Sequence, residues 1–184
     1  MKKTYNPKSF LENLLDKTLK IGVDEADAVL YENTQMSAAF RLGKKEKIFK
    51  SDTRYFSLRV IKNKSQSVVS SSNLSRESVK RTIESAISMS EATPKDPNIG
   101  LAKEIEKTKE IKRTLKTYDP AIPTEKQLEE RAVTVENAAR SVKGITNSEG
   151  CIADWEKTKT WLIGSNGFLD HYAQTKHKIF VNVL

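Results

Sequence analysis

Alternation with a period of two residues commits much of this chain to sheet. Met36, Ala38, Phe40 and Leu42 alternate with Ser37, Ala39 and Arg41, while Phe56, Leu58 and Val60 alternate with Tyr55, Ser57 and Arg59. Successive side chains of an extended strand point to opposite faces, so this pattern predicts strands with one apolar and one polar face. Turns are expected near Gly43-Lys44, Ser51-Asp52 and Asn63-Lys64, which makes the stretch from Asp24 to Ser72 a run of antiparallel strands. Cys151, Ala153 and Trp155 alternate in a later strand, and Trp161 to Ile163 lead into Gly164-Ser-Asn-Gly-Phe168. There Asn166-Gly167 reads as a primed turn, since asparagine tolerates positive φ and glycine adopts it freely. His171 to Leu184 is then a long strand with Ala173, Ile179, Val181 and Val183 on one face.

Three segments switch to helical spacing. Asn6 before Pro7 is an N-cap with proline at the first helical position, and Phe10, Leu11, Leu14, Leu15 and Leu19 mark the apolar side. A second helix begins after Ser75 and carries Val79, Ile83, Ala86, Ile87 and Ser90 along one face. In a third, Thr124 and Gln127 form a capping box, and Leu128, Ala132, Val135, Ala139 and Val142 carry the helix to Gly144. The fold class expected is α+β: antiparallel sheets with packed helices, arranged as a duplicated helix-plus-strands unit. Residues 1–93 form the first α+β unit, 94–123 a connector and 124–184 the second unit, which stops before a C-terminal domain. The connector holds four of the five prolines, has a charged middle expected to form a short exposed helix, and ends near Tyr118-Asp-Pro120, which should pin it back onto the fold.

Composition narrows the class. With 184 residues, 37% hydrophobic and 30% charged, the chain is long enough to bury a core and is neither membrane-like nor disordered. No apolar run approaches the roughly 18 to 20 residues of a bilayer span, so no membrane contact is expected. A cytoplasmic location is expected, in keeping with the single cysteine, Cys151, which excludes an internal disulfide. The net charge of +8 raises the question of an anionic partner. Most lysines are interleaved with glutamates, as in Lys103-Glu-Ile-Glu-Lys-Thr-Lys-Glu-Ile-Lys112, which is the pattern of a solvated face rather than a phosphate track.

Constellations that would carry chemistry are sparse. His171 and His177 lie six apart on a strand, hence about 20 Å apart at roughly 3.3 Å per residue, too far to share a metal. Cys151 with His171 would make a thiol–imidazole pair only with a third orienting group, and a buried core thiol is the simpler reading. Glu104 with Glu106 and Glu129 with Glu130 sit beside lysines on polar helix faces and read as solvating residues. Tyr55-Phe56, Trp155 and Trp161 lie among basic residues, an arrangement that suits base stacking, yet Phe56 alternates in phase with Leu58 and Val60 as a core residue does. No phosphate-cradling glycine loop is present. Catalytic, cofactor and metal residues are therefore expected to be none.

Several strings, taken in order and spacing, give a resemblance. Gly22-Val-Asp-Glu-Ala26, Arg41-Leu-Gly-Lys-Lys-Glu46, Ser51-Asp-Thr-Arg54 running into Leu58-Arg-Val60, Ala92-Thr-Pro-Lys-Asp-Pro97 with Gly100-Leu-Ala102, Tyr118-Asp-Pro120, Ile145-Thr-Asn-Ser-Glu-Gly150 and Gly164-Ser-Asn-Gly-Phe168 resemble the N-terminal region of the PmbA (TldE) branch of the PmbA/TldD family, the modulators of DNA gyrase. The chain departs from the family pattern where Arg54 is followed by Tyr55-Phe-Ser57 in place of an Arg-Gly-Leu-Gly string, and where Ser65-Gln-Ser-Val-Val69 replaces a Gly-Ser-Ala-Ser type. The resemblance implies a non-catalytic part of a cytoplasmic zinc metallopeptidase system acting on unfolded or leader-type peptides. It implies zinc only in a C-terminal region or a partner subunit, and as partners a TldD-like subunit or a second copy, with an extended peptide as substrate. Two alternatives stay open: a nucleic-acid-binding module linked to gyrase modulation, and a degenerate structural remnant.

Overall fold

The computed structural model describes residues 5–103 and 116–184. In chain order the elements are α1 (Pro7–Leu19), β1 (Glu25–Arg41), β2 (Lys44–Lys62), β3 (Ser65–Ser71), α2 (Arg76–Glu91), α3 (Glu125–Arg140), β4 (Ser148–Gly164) and β5 (Leu169–Val183). The strands form one antiparallel sheet in the order β3-β2-β1-β4-β5, and the fold is α+β. The charged middle of the connector, with Glu104 and Glu106, lies outside the described residues.

The described residues divide into two compact units that are not consecutive stretches of chain. The first comprises 5–32, 54–103 and 159–172, the second 33–53, 116–158 and 173–184.

In the first unit, α1 starts as its sequence dictates, Asn6 accepting a hydrogen bond from the Ser9 amide at 3.1 Å with Pro7 next. Ser75 caps α2 in the same way, through the Ser78 amide. Leu11, Leu14 and Leu15 of α1 and Val79, Ile83 and Ala86 of α2 bury against Ala26, Ala28 and Leu30 of β1 and Phe56, Leu58 and Val60 of β2. Phe10 meets Phe56 edge-on at 5.3 Å between centroids. β3 pairs with β2 from Phe56↔Ser71 to Lys62↔Ser65, and the turn between them has positive φ at both Asn63 (51°) and Lys64 (65°), the hand that matches strand twist. The start of the connector is tied down here, Asp96 donating its amide to the Lys64 carbonyl at 2.7 Å.

In the second unit, Leu128 and Ala132 of α3 cover Met36, Ala38 and Phe40 of β1 and Cys151, Ala153 and Trp155 of β4. The capping box at Thr124 and Gln127 is present in both directions. The β1–β2 turn again has positive φ at both residues, Leu42 (51°) and Gly43 (75°). At Gly150, φ is 111° and a Cβ would lie 2.8 Å from the Phe40 carbonyl oxygen, so only glycine lets the start of β4 approach β1 this closely.

Three local expectations are corrected. Ser51-Asp52 makes no turn, because β2 runs unbroken from Lys44 to Lys62; continuous ladder pairing overrides the weak turn preference of two polar residues. At the β4–β5 turn only Gly167 has positive φ (88°), and the Asn166 side chain accepts from the Phe168 amide at 3.2 Å, so the reversal is an asparagine side-chain turn and not a primed pair. The third helix ends at Arg140, one turn early, leaving Val142 exposed; its buried stripe is Leu128, Ala132 and Glu136.

Candidate functional site

β5 is a terminal strand of the sheet, so among the described residues one of its edges has no strand beside it. In the second unit that edge is already in partial use. Thr175 donates its backbone amide to the Thr117 carbonyl at 2.9 Å, and Asp119 donates its amide to the Thr175 hydroxyl at 2.9 Å. The end of the connector thus returns to the fold at Tyr118-Asp-Pro120, as the sequence suggests, held to β5 by one main-chain bond and one bond to a side chain.

Backbone groups of a paired strand alternate in direction, so those of His177, Ile179 and Val181 point the same way as Thr175. Side chains flank this continuation on both faces. Lys176, Lys178 and Phe180 alternate on one face, with Phe180 64% exposed. On the other face Ile179 lines a groove of about 390 Å³ with Gln127, Glu130, Arg131, Thr134 and Val135 of α3. Arg131 Nη1 lies 3.0 Å from Nδ1 of His177 across this groove. An unpaired edge with alternating apolar and basic neighbours is suited to accepting an extended chain, main-chain hydrogen bonds supplying affinity and the flanking side chains selectivity.

The far end of this unit is held by a residue that sequence reasoning missed. Glu136 has no solvent exposure, and its Oε1 accepts from the Leu42 amide at 2.8 Å and the Ser148 hydroxyl at 2.7 Å, while Oε2 accepts from the Gly43 amide at 3.2 Å. Burial opposes its ionisation, but these bonds, aided by Arg140, outweigh that cost and hold the carboxyl below its ordinary pKa. The available signal was position: Glu136 sits four and eight residues after Ala132 and Leu128, on the apolar stripe itself.

The other residues singled out in the sequence are dispersed. His171 and His177 are both exposed on β5. Cys151 is buried in the second unit's core, where burial and the nearby Glu136 carboxylate push its thiol pKa up, away from the nucleophilic thiolate. Glu129 pairs with Lys45, and Glu130 with Lys126 one turn away. Phe56 and Trp155 are fully buried, and Trp161 packs against the first unit's core; Tyr55 stands on the opposite face of its strand, its ring stacked on Tyr31 at 4.9 Å. Among the described residues no three His, Cys, Asp or Glu side chains converge as metal ligands would, so this donor set does not fit a zinc ion. No described helix is long and apolar enough to cross a membrane.

Comparison with known proteins follows the same lines. Residues 26–90 match the family model of PmbA/TldA metallopeptidase domain 1. Among solved structures, a Bacteroides thetaiotaomicron protein described as a proposed modulator of DNA gyrase superposes with a TM-score of 0.78 at 18% identity, over 98% of this chain and 41% of that one. A Thermotoga maritima protein of the same description gives 0.73 at 17% identity, over 96% and 39%. TldE from Thermococcus kodakarensis gives 0.72 at 17% identity, over 95% and 39%. The chain therefore spans about two fifths of the length of the structures whose fold it shares. No curated protein matches it in sequence.

Proposed function

We propose that this chain, whose residues 26–90 match the model of PmbA/TldA metallopeptidase domain 1, is a non-catalytic part of a metallopeptidase-type system, shaping the cavity in which an extended peptide is held. The observation that carries this reading is the edge of β5, where the Thr117 carbonyl already accepts a main-chain hydrogen bond from the Thr175 amide. An unfolded substrate would continue that line beside His177 to Val181, its backbone pairing with the strand and its side chains alternating between the α3 groove and the Phe180 face. Lys176 and Lys178 favour acidic residues on the side that meets Phe180. In this reading zinc and the hydrolytic groups belong to a C-terminal region or to a TldD-like partner subunit, and the system works in the cytoplasm.

Isothermal titration with an unstructured peptide of alternating acidic and apolar residues tests it. Saturable binding that is lost when alternate peptide amides are N-methylated supports strand addition; binding indifferent to N-methylation, or none at all, refutes it. The competing reading, a nucleic-acid module, predicts instead steep loss of DNA affinity with salt.

A further inference from the structure

The first unit contains a groove that the edge of β5 does not use. It occupies about 620 Å³ over the face of the sheet turned away from α1 and α2, with Val29 and Leu162 along its floor, Phe168 at one side and Leu101 and Ala102 above. The roof is fastened: Leu101 donates its amide to Glu25 Oε2 at 2.6 Å, and Asn166 Nδ2 donates to the Ala102 carbonyl at 3.1 Å. Gly164 makes this possible, since a Cβ there would lie 2.5 Å from Asn166 Oδ1. Glu25 and Asn166 thus fasten the roof over the groove, and the Asn166 side chain also closes the β4–β5 turn.

One polar feature interrupts its apolar wall. Arg59 donates through Nε to Asp27 Oδ1 at 3.0 Å and through Nη2 to Oδ2 at 2.5 Å, a two-point fork across β2 and β1. Nη1 of Arg59 has no hydrogen-bond partner among the described residues, and each Asp27 oxygen retains a lone pair. A donor and an acceptor therefore stand side by side at the groove wall, which is the pattern a peptide amide complements. With Glu25 also close by, two carboxylates face one guanidinium, so an anionic ligand is disfavoured.

We propose that this groove binds an uncharged apolar residue of an extended peptide, its side chain against Leu162 and Val29, its N–H donating to Asp27 and its C=O accepting from Arg59. This goes beyond the edge-pairing reading, since it places a second, side-chain-selective contact in the other unit.

The test is an NMR titration of the isotopically labelled chain with N-acetyl-leucinamide and, separately, with N-acetyl-leucine, whose free carboxylate carries a charge. The expected result is saturable shifts at Arg59 Nε and the Leu162 methyls with the amide, and affinity lower by about tenfold or more with the carboxylate. Ala102→Trp, which fills the groove from its exposed roof, should abolish the response. Arg59→Lys keeps the charge but loses the fork, and should weaken binding several-fold while leaving the spectrum folded. Absence of saturable shifts, equal response to both probes, or an unchanged response in both variants would overturn the proposal. Binding of long peptides at β5 is read separately from shifts at Ile179 and Val181, so failure of the groove and failure of the edge are told apart.

Discussion

Replacing Glu136 with glutamine should destabilise the protein by an amount that depends on pH in one direction only. The carboxylate accepts three hydrogen bonds in a site without solvent exposure. Glutamine can keep an oxygen toward Leu42 and Ser148, but its amide nitrogen then faces the Gly43 N–H, donor against donor. A bond to a charged acceptor contributes about 1.5–3 kcal/mol against about 1 for a neutral one, so two bonds lose roughly 1 kcal/mol each and the third is lost outright. Relief from burying a charge offsets part of this, leaving a net cost of about 2 kcal/mol at neutral pH. With a urea m-value of about 2 kcal/mol/M, the unfolding midpoint should fall by about 1 M. The sign of the pH dependence follows from the lowered pKa. A carboxyl that is more acidic when folded contributes stability above its unfolded pKa, near 4.5, and loses it as pH falls through the folded value. The midpoint gap between wild type and Glu136→Gln should therefore be full at pH 7 and shrink steadily below about pH 4.5. A gap that stays constant down to pH 3, or a variant as stable as wild type at pH 7, would refute the assignment of Glu136 as an ionised clamp.

Three further outcomes follow from the same packing. Gly150→Ala meets the Phe40 carbonyl at 2.8 Å with φ at 111°, and should cost about 2 kcal/mol or more by chemical denaturation, whereas an unchanged midpoint would show that β4 can retreat from β1. Trp155→Ala empties the largest fully buried site in the second unit and should cost about 3–5 kcal/mol, read as loss of tryptophan near-ultraviolet signal and unfolding at lower denaturant. Thr124→Ala removes half of the capping box and should cost about 1 kcal/mol; no change would mean that Gln127 alone secures the start of α3.

Much of the fold was legible because its strongest signals are local. Strand periodicity located β1, β2 and β4, and the inward residues Ala38, Phe56, Leu58, Cys151 and Trp155 are the ones that alternation selects. Caps at Asn6, Ser75 and Thr124 placed the helix starts. Reading failed where tertiary pairing decides the outcome. Ser51-Asp52 has turn chemistry but lies in mid-strand, held there by the strand beside it. Leu42 takes positive φ against its own preference because the hairpin requires it and Glu136 receives its amide. Glu136 itself escaped notice because a charged residue on an apolar stripe is usually a solvated one; only its three donors, two from the β1–β2 turn and one from β4, reveal it. The candidate site was the least legible part. A strand edge leaves no signature in the order of side chains, and the pairing of Asp27 with Arg59 depends on a register that sequence alone does not fix.

On the proposed function, this chain presents peptide to chemistry carried elsewhere. The measurement that bears on it most directly is hydrolysis of an unstructured peptide, with zinc supplied, by the purified chain alone and after mixing with a TldD-like subunit. The account expects no cleavage by the chain alone and cleavage by the mixture that falls when Ile179→Pro blocks the β5 edge. Hydrolysis by the unaccompanied chain would contradict it.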